Sequence, residues 1–214
     1  MKYGESTFDI LYLLFAIAAG IFMILRSRSK TGRMMGLAAL ILGSGDAFHL
    51  VPRVINYFSS SDMTAALGIG KLVTSVTMTF FYVLMYYIWT DVFSREKTRR
   101  AAVTVWSLTA LRVILCLLPG NDWINNGNSM TWGIIRNIPF VILGAYICYL
   151  WFKTRTGDKV LRPMWILIAF SFAFYIPVAV FAGILPILGM LMLPKTICYI
   201  IMIILFLRKA LKRE

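Results

Sequence analysis

Seven apolar runs, each long enough to cross a lipid bilayer, dominate this chain of 214 residues. A hydrocarbon core about 30 Å thick takes roughly 17 to 25 residues of helix at about 1.5 Å per residue. Runs of that kind fall approximately at 8–25, 34–52, 65–90, 101–118, 130–152, 163–185 and 187–207. Backbone groups in lipid must be satisfied internally, and the short alternating segments of a membrane barrel are absent from the pattern, so the runs predict helices. The expected fold is all-α, a seven-transmembrane-helix bundle forming a single integral membrane domain over 1–214. Composition agrees, since 60% hydrophobic and 14% charged residues with a mean hydropathy of +0.79 lie outside the soluble globular range. The first run follows Glu5 and Asp9 rather than a basic segment, so it reads as a retained helix, not a secretory signal.

Charge sets the orientation. Loops 26–33, 91–100 and 153–162 and the tail from Arg208 hold 16 Lys and Arg, among them Arg95, Lys97 and Arg213, against Asp91, Glu96, Asp158 and Glu214. All fall on one side of a seven-helix chain, which predicts an outside N-terminus and a cytoplasmic C-terminus in a multi-pass cell-membrane protein. The opposite loops, including GNDWINNGNSMTW, carry Trp123 and Trp132, suited to an interfacial aromatic belt. Basic loops facing anionic leaflet lipids account for the net charge of +13 without a nucleic-acid partner.

With Lys2, Glu5, Asp9, Asp62 and Asp122 assigned to the outside, the spans keep Arg53, Lys71, Arg112, Arg136 and Lys195 against Asp46 alone, an excess of +4. Ionisable groups within a span cost roughly 2.5 to 3.5 kcal/mol each on insertion scales and usually face a polar interior. Counted from the outer helix ends, Asp46 and His49, Lys71, Arg112, Arg136 and Lys195 lie roughly 5 to 12 Å deep at the helical rise, and Arg53 marks the mouth. Five helices therefore contribute to one polar layer, which predicts a shared cavity opening outward.

Helical spacing supports that layer. Asp46, His49 and Arg53 share one face of helix 2, Lys71, Ser75, Met78 and Tyr82 one face of helix 3, and Lys195 and Tyr199 one face of helix 7. Arg136 and Asn137 belong to RNIPF and Lys195 to LPK, where Pro139 and Pro194 can free a carbonyl and kink the helix. Asp46 could instead pair with Lys71, Arg112 or Lys195 to hold helices together, Arg53 could snorkel to the interface, and His49 could be a satisfied interior histidine. The aromatic run FSFAFY of helix 6 reads as packing or lipid-facing. One His, scattered Cys116, Cys148 and Cys198, and no phosphate-cradling glycine loop predict no metal site, disulfide framework or cofactor; GLAALILGSG and LGIG read as small-residue helix contacts.

Two short resemblances to known families and one internal echo stand out. Seven helices with an outside N-terminus and Lys195 in helix 7 resemble the microbial rhodopsin layout, in which that lysine would bind retinal; helix 3 has Lys71, Ser75 and Thr79 where a carboxylate counter-ion would stand. The Gly45-Asp46 pair resembles the lysoplasmalogenase family of membrane enzymes, whose implied second intramembrane aspartate is absent here. An internal echo, RSRSKTGR after helix 1 and KTRTGDK after helix 5, suggests a 3+1+3 arrangement. None of the three assigns a family.

The favoured function is binding or transport of an anionic small molecule or phosphate-bearing lipid headgroup by Arg53, Lys71, Ser75, Tyr82, Arg112, Arg136, Asn137, Lys195 and Tyr199, with membrane lipids as surroundings. The alternatives are an enzyme acting on a phospholipid-like substrate, with Asp46 and His49 as acid/base pair, and a structural or assembly subunit whose charges bind another chain.

Overall fold

A computed structural model describes residues 2–93, 99–127, 129–181 and 184–212; Arg95, Glu96, Lys97, Arg213 and Glu214 lie outside the described residues. Among the described residues the structure is all-helical, with seven helices long and apolar enough to cross a membrane, and the chain is a multi-pass membrane protein in class. The helices are α1 (Lys2–Arg26), α2 (Lys30–Phe58), α3 (Thr64–Val92), α4 (Arg99–Leu117), α5 (Met130–Lys153), α6 (Met164–Phe181) and α7 (Met192–Ala210). Short 3-10 turns at Pro119–Asn121 and Pro186–Leu191 precede α5 and α7.

Local chemistry explains several boundaries. Ser29 and Ser129 cap α2 and α5, their hydroxyls accepting from the backbone N–H groups of Gly32 and Trp132, which would otherwise lack partners. Pro52 does not end α2, which runs on to Phe58. Pro194 stands in the first turn of α7, where no helical N–H is needed, so it does not break that helix as its sequence context suggested.

Consecutive helices pack side by side, and α7 closes the ring against α1 and α2. Close approach along α1 and α2 depends on small residues: a Cβ on Gly20 would stand 2.7 Å from the Leu40 backbone nitrogen, and one on Gly36 would stand 2.8 Å from the Gly20 carbonyl. A Cβ on Gly70 would run into the Phe48 carbonyl, and one on Gly45 into the Thr77 side chain, which draws α3 onto α2. Interhelical hydrogen bonds tie the end with the α1–α2, α3–α4 and α5–α6 connections: the Trp89 indole N–H donates to the Leu150 carbonyl and Thr154 hydroxyl, and Trp106 donates to Tyr87. The opposite end stays open at its centre.

Candidate functional site

At that opposite end, which carries the α2–α3, α4–α5 and α6–α7 connections, the bundle encloses a cavity of about 380 Å³. Its first wall comes from α1 and α2. Glu5, Asp9 and Tyr12 repeat at helical spacing along α1 and meet Asp46, Arg53 and Tyr57 on α2. Tyr12 donates its hydroxyl to Asp46 Oδ2 at 2.7 Å, Arg53 Nη2 stands 2.6 Å from Asp9 Oδ2 and 3.2 Å from Glu5 Oε1, and Tyr57 donates to Glu5 at 3.1 Å.

This corrects three readings of the sequence. Glu5 and Asp9 do not lie in solvent beyond the first helix: α1 already begins at Lys2, so both carboxyls are turned onto α2, and Asp9 is 4% exposed. Arg53 does not snorkel but is paired. Nor are Asp46 and His49, the expected acid/base pair, hydrogen-bonded to each other. The hydrogen bond of Asp46 goes to Tyr12, while His49 bonds the backbone of Leu67 and leaves Nδ1 buried without a partner.

The second wall comes from α3, α4 and α5. Thr74 donates to the Gly45 carbonyl at 3.0 Å and Ser75 to the Lys71 carbonyl at 2.7 Å, so these hydroxyls are used in fixing helices and do not stand free. Arg112 of α4 is 1% exposed. One face of its guanidinium lies on Phe140, with Cζ 3.4 Å from the ring centroid, and its Nε and Nη1 have no hydrogen-bond partner. Arg136 of α5 donates from Nη1 to Asn121 Oδ1 at 2.8 Å and sits over the Trp123 ring at 4.6 Å. The α4–α5 connection is folded to hold it: Asn121 Nδ2 donates to the carbonyls of Leu115 and Leu118, and Trp123 Nε1 to that of Cys116 at 2.7 Å. Trp123 is thus buried in the site, not a member of an interfacial belt.

The third wall is formed by α6 and α7. Asn137 accepts at Oδ1 from the Tyr175 hydroxyl at 2.6 Å, and Lys195 Nζ lies 5.1 Å and 5.2 Å from the Tyr175 and Tyr199 ring centroids, within range of cation–π attraction. Tyr175, the end of the FSFAFY run read as packing, lines the cavity. Among the described residues, no carboxylate lies within 4.0 Å of Lys71, Arg112, Arg136 or Lys195.

Nine of the eleven candidate residues, Asp46, His49, Arg53, Lys71, Ser75, Arg112, Arg136, Asn137 and Lys195, line this one cavity. Tyr82 and Tyr199 do not. Tyr82 shares the face of Lys71 but lies about 16 Å further along the helix, and Tyr199 lies one turn beneath Lys195. Both are in the core, their hydroxyls bonded to each other and Tyr82 also to Ser171 at 3.2 Å. Sequence reasoning missed Glu5, Asp9, Tyr12, Asn121, Trp123 and Tyr175; the spacing of Glu5, Asp9 and Tyr12, a polar stripe on an otherwise apolar helix, was the available signal.

The fold and this cavity define a helical multi-pass membrane protein with a charged internal site. No family model, curated protein or solved structure matches the chain.

Proposed function

We propose that the cavity binds an anionic small molecule or a phosphate-bearing lipid headgroup, and that it opens to the outer face of the cell membrane. The orientation rests on the basic loops at the opposite end. The observation that carries the reading is Arg112: a guanidinium 1% exposed with two N–H-bearing nitrogens lacking partners on a cavity wall. A buried charged donor left unsatisfied is strongly unfavourable, and an anion seated in the cavity would supply the missing acceptor. The lining groups support it, because five cations, Arg53, Lys71, Arg112, Arg136 and Lys195, face three carboxyls, Glu5, Asp9 and Asp46, leaving a formal +2 with His49 neutral.

Native mass spectrometry of the purified protein, with lipid and metabolite extraction, tests this reading. A bound anion retained by the wild type and lost from Arg112→Ala supports it; a wild-type protein that retains no anion and binds none from an anion panel refutes it.

A second reading, chemistry on a phospholipid-like substrate, is favoured by the unpartnered Nδ1 of His49, which lines the same cavity. There His49 would act as base, with the cations stabilising developing negative charge. Loss of turnover with retained binding in His49→Ala is its distinguishing result.

A further inference from the structure

Charge in the cavity is segregated by helix. The carboxyls Glu5, Asp9 and Asp46 all come from α1 and α2, and two of them are engaged by Arg53 of α2 itself. Lys71, Arg112 and Arg136 come from α3, α4 and α5, which pack on one another, whereas α1 packs on α2 and α7. Lys195 stands between the two sets, within the fields of both Asp46 and Arg112. Among the described residues no carboxyl lies within 4.0 Å of Lys71, Arg112 or Arg136, so the far wall is a set of three cations without an ion-pair partner.

The formal excess of the whole cavity, five cations against three carboxyls, is two positive charges. A monoanion such as a simple carboxylate or a phosphodiester would leave one of them uncompensated in a medium of low dielectric constant, whereas a dianion would neutralise both. Phe140 occupies one face of Arg112 at 3.4 Å, so a ligand reaches the open N–H groups from the edge, the approach by which guanidinium binds phosphoryl oxygens. The cavity is not polar throughout: Leu50, Met78, Val178, Ala179, Met192 and Leu193 are apolar members of its lining. Free inorganic phosphate would leave those side chains without a counterpart, but the carbon skeleton of an ester would cover them.

We infer that the Lys71, Arg112 and Arg136 wall is a phosphoryl subsite for a phosphate monoester, the two-charge form, whose organic part lies against Leu50, Val178 and Leu193. This rests on the anion reading and names the ligand class. A phosphate monoester carries close to two negative charges at neutral pH, because its second pKa is about 6, and a diester carries one.

The test is equilibrium binding to the full chain in phosphatidylcholine nanodiscs at pH 7.5, in two arms. The soluble arm compares glycerol 3-phosphate with its diester glycerophosphoglycerol; the lipid arm compares lysophosphatidic acid with lysophosphatidylglycerol of the same acyl chain. The expected result is a preference for the monoester of about tenfold or more in at least one arm, with the arm of tighter binding naming the source as a metabolite or a lipid. That preference should collapse in Arg136→Gln and Lys71→Met, each checked for an unchanged melting temperature so that misfolding is excluded. Equal or tighter binding of the diester in both arms overturns the monoester assignment and leaves the anion reading standing. Binding of another anion but none of the four probes likewise overturns the monoester assignment alone, and binding of no anion at all overturns both.

Discussion

Arg53 and Asp9 join α2 to α1 through an ion pair of 2.6 Å, with the Asp9 carboxyl 4% exposed. The pair removes one cation and one anion from those a ligand can meet, and it fixes the mouth of the cavity. Removing the Asp9 charge leaves Arg53 with the longer Glu5 contact and one charged hydrogen bond weakened, a loss of about 1 to 3 kcal/mol. Asp9→Asn should therefore melt well below the wild type, with Glu5→Gln milder because Glu5 is more exposed and its contact longer, 3.2 Å. Equal melting of Asp9→Asn and wild type in thermal denaturation would show that the pair holds nothing together.

Asp46 is held by Tyr12, which separates its structural role from its charge. Tyr12→Phe removes the donor and should lower stability by about 1 to 3 kcal/mol. Asp46→Asn keeps an acceptor for Tyr12 and raises the formal charge of the lining from +2 to +3, so a simple anion should bind at least as tightly. Titration of both variants with inorganic phosphate reads this directly; weaker binding in Asp46→Asn at unchanged stability would place Asp46 in contact with the ligand.

The pH dependence of one exposed connection can be signed. Burial pushes the Asp158 carboxyl up, but Lys209 Nζ at 2.9 Å and the backbone N–H groups of Leu161 and Val160 outweigh it, and the result lies below the usual 3.8. A carboxyl depressed on folding contributes stability above its unfolded value, and that contribution is lost as pH falls through the folded one. Asp158→Asn should thus be less stable than wild type at neutral pH, with the gap closing as pH falls below 3.8. Melting curves at stepped acid pH would show a constant gap if the contact with Lys209 carried no stability.

Orientation is tested by labelling single cysteines. Asn125 and Thr156 are exposed in connections at opposite ends of the bundle, and Asn125 avoids the positive φ of Asn126. A membrane-impermeant thiol reagent applied to intact cells should reach position 125 and not 156; the reverse would place the cavity on the cytoplasmic side.

What could be read from sequence follows from the range of each interaction. The helices were legible because an apolar run reports its own membrane path, and the shared layer of Asp46, His49, Lys71, Arg112, Arg136 and Lys195 was legible because depth along a helix is linear in residue number. Partners were not. Glu5 and Asp9 looked external by count, and only the packing of α1 on α2 turns them onto Arg53. The four-cation excess read from the spans becomes two once those carboxyls are included in the lining. Tyr175 looked like a packing or lipid-facing aromatic and Trp123 like a member of an interfacial belt, because nothing local marks which face of a helix, or which side of a connection, meets a cation.

The most direct test of the central claim is the melting temperature of wild type and Arg112→Met, each with and without saturating glycerol 3-phosphate. Replacing a buried guanidinium whose Nε and Nη1 lack partners with an apolar side chain of similar length is neutral or stabilising, so unliganded Arg112→Met should melt at or above the wild type. Ligand at about 100 times its Kd adds about 2.7 kcal/mol to the state that binds it, so the wild type should shift upward and the variant should not. An Arg112→Met protein that melts far below wild type and still shifts by the same amount would contradict the account, assigning Arg112 to the packing on Phe140 and not to an anion.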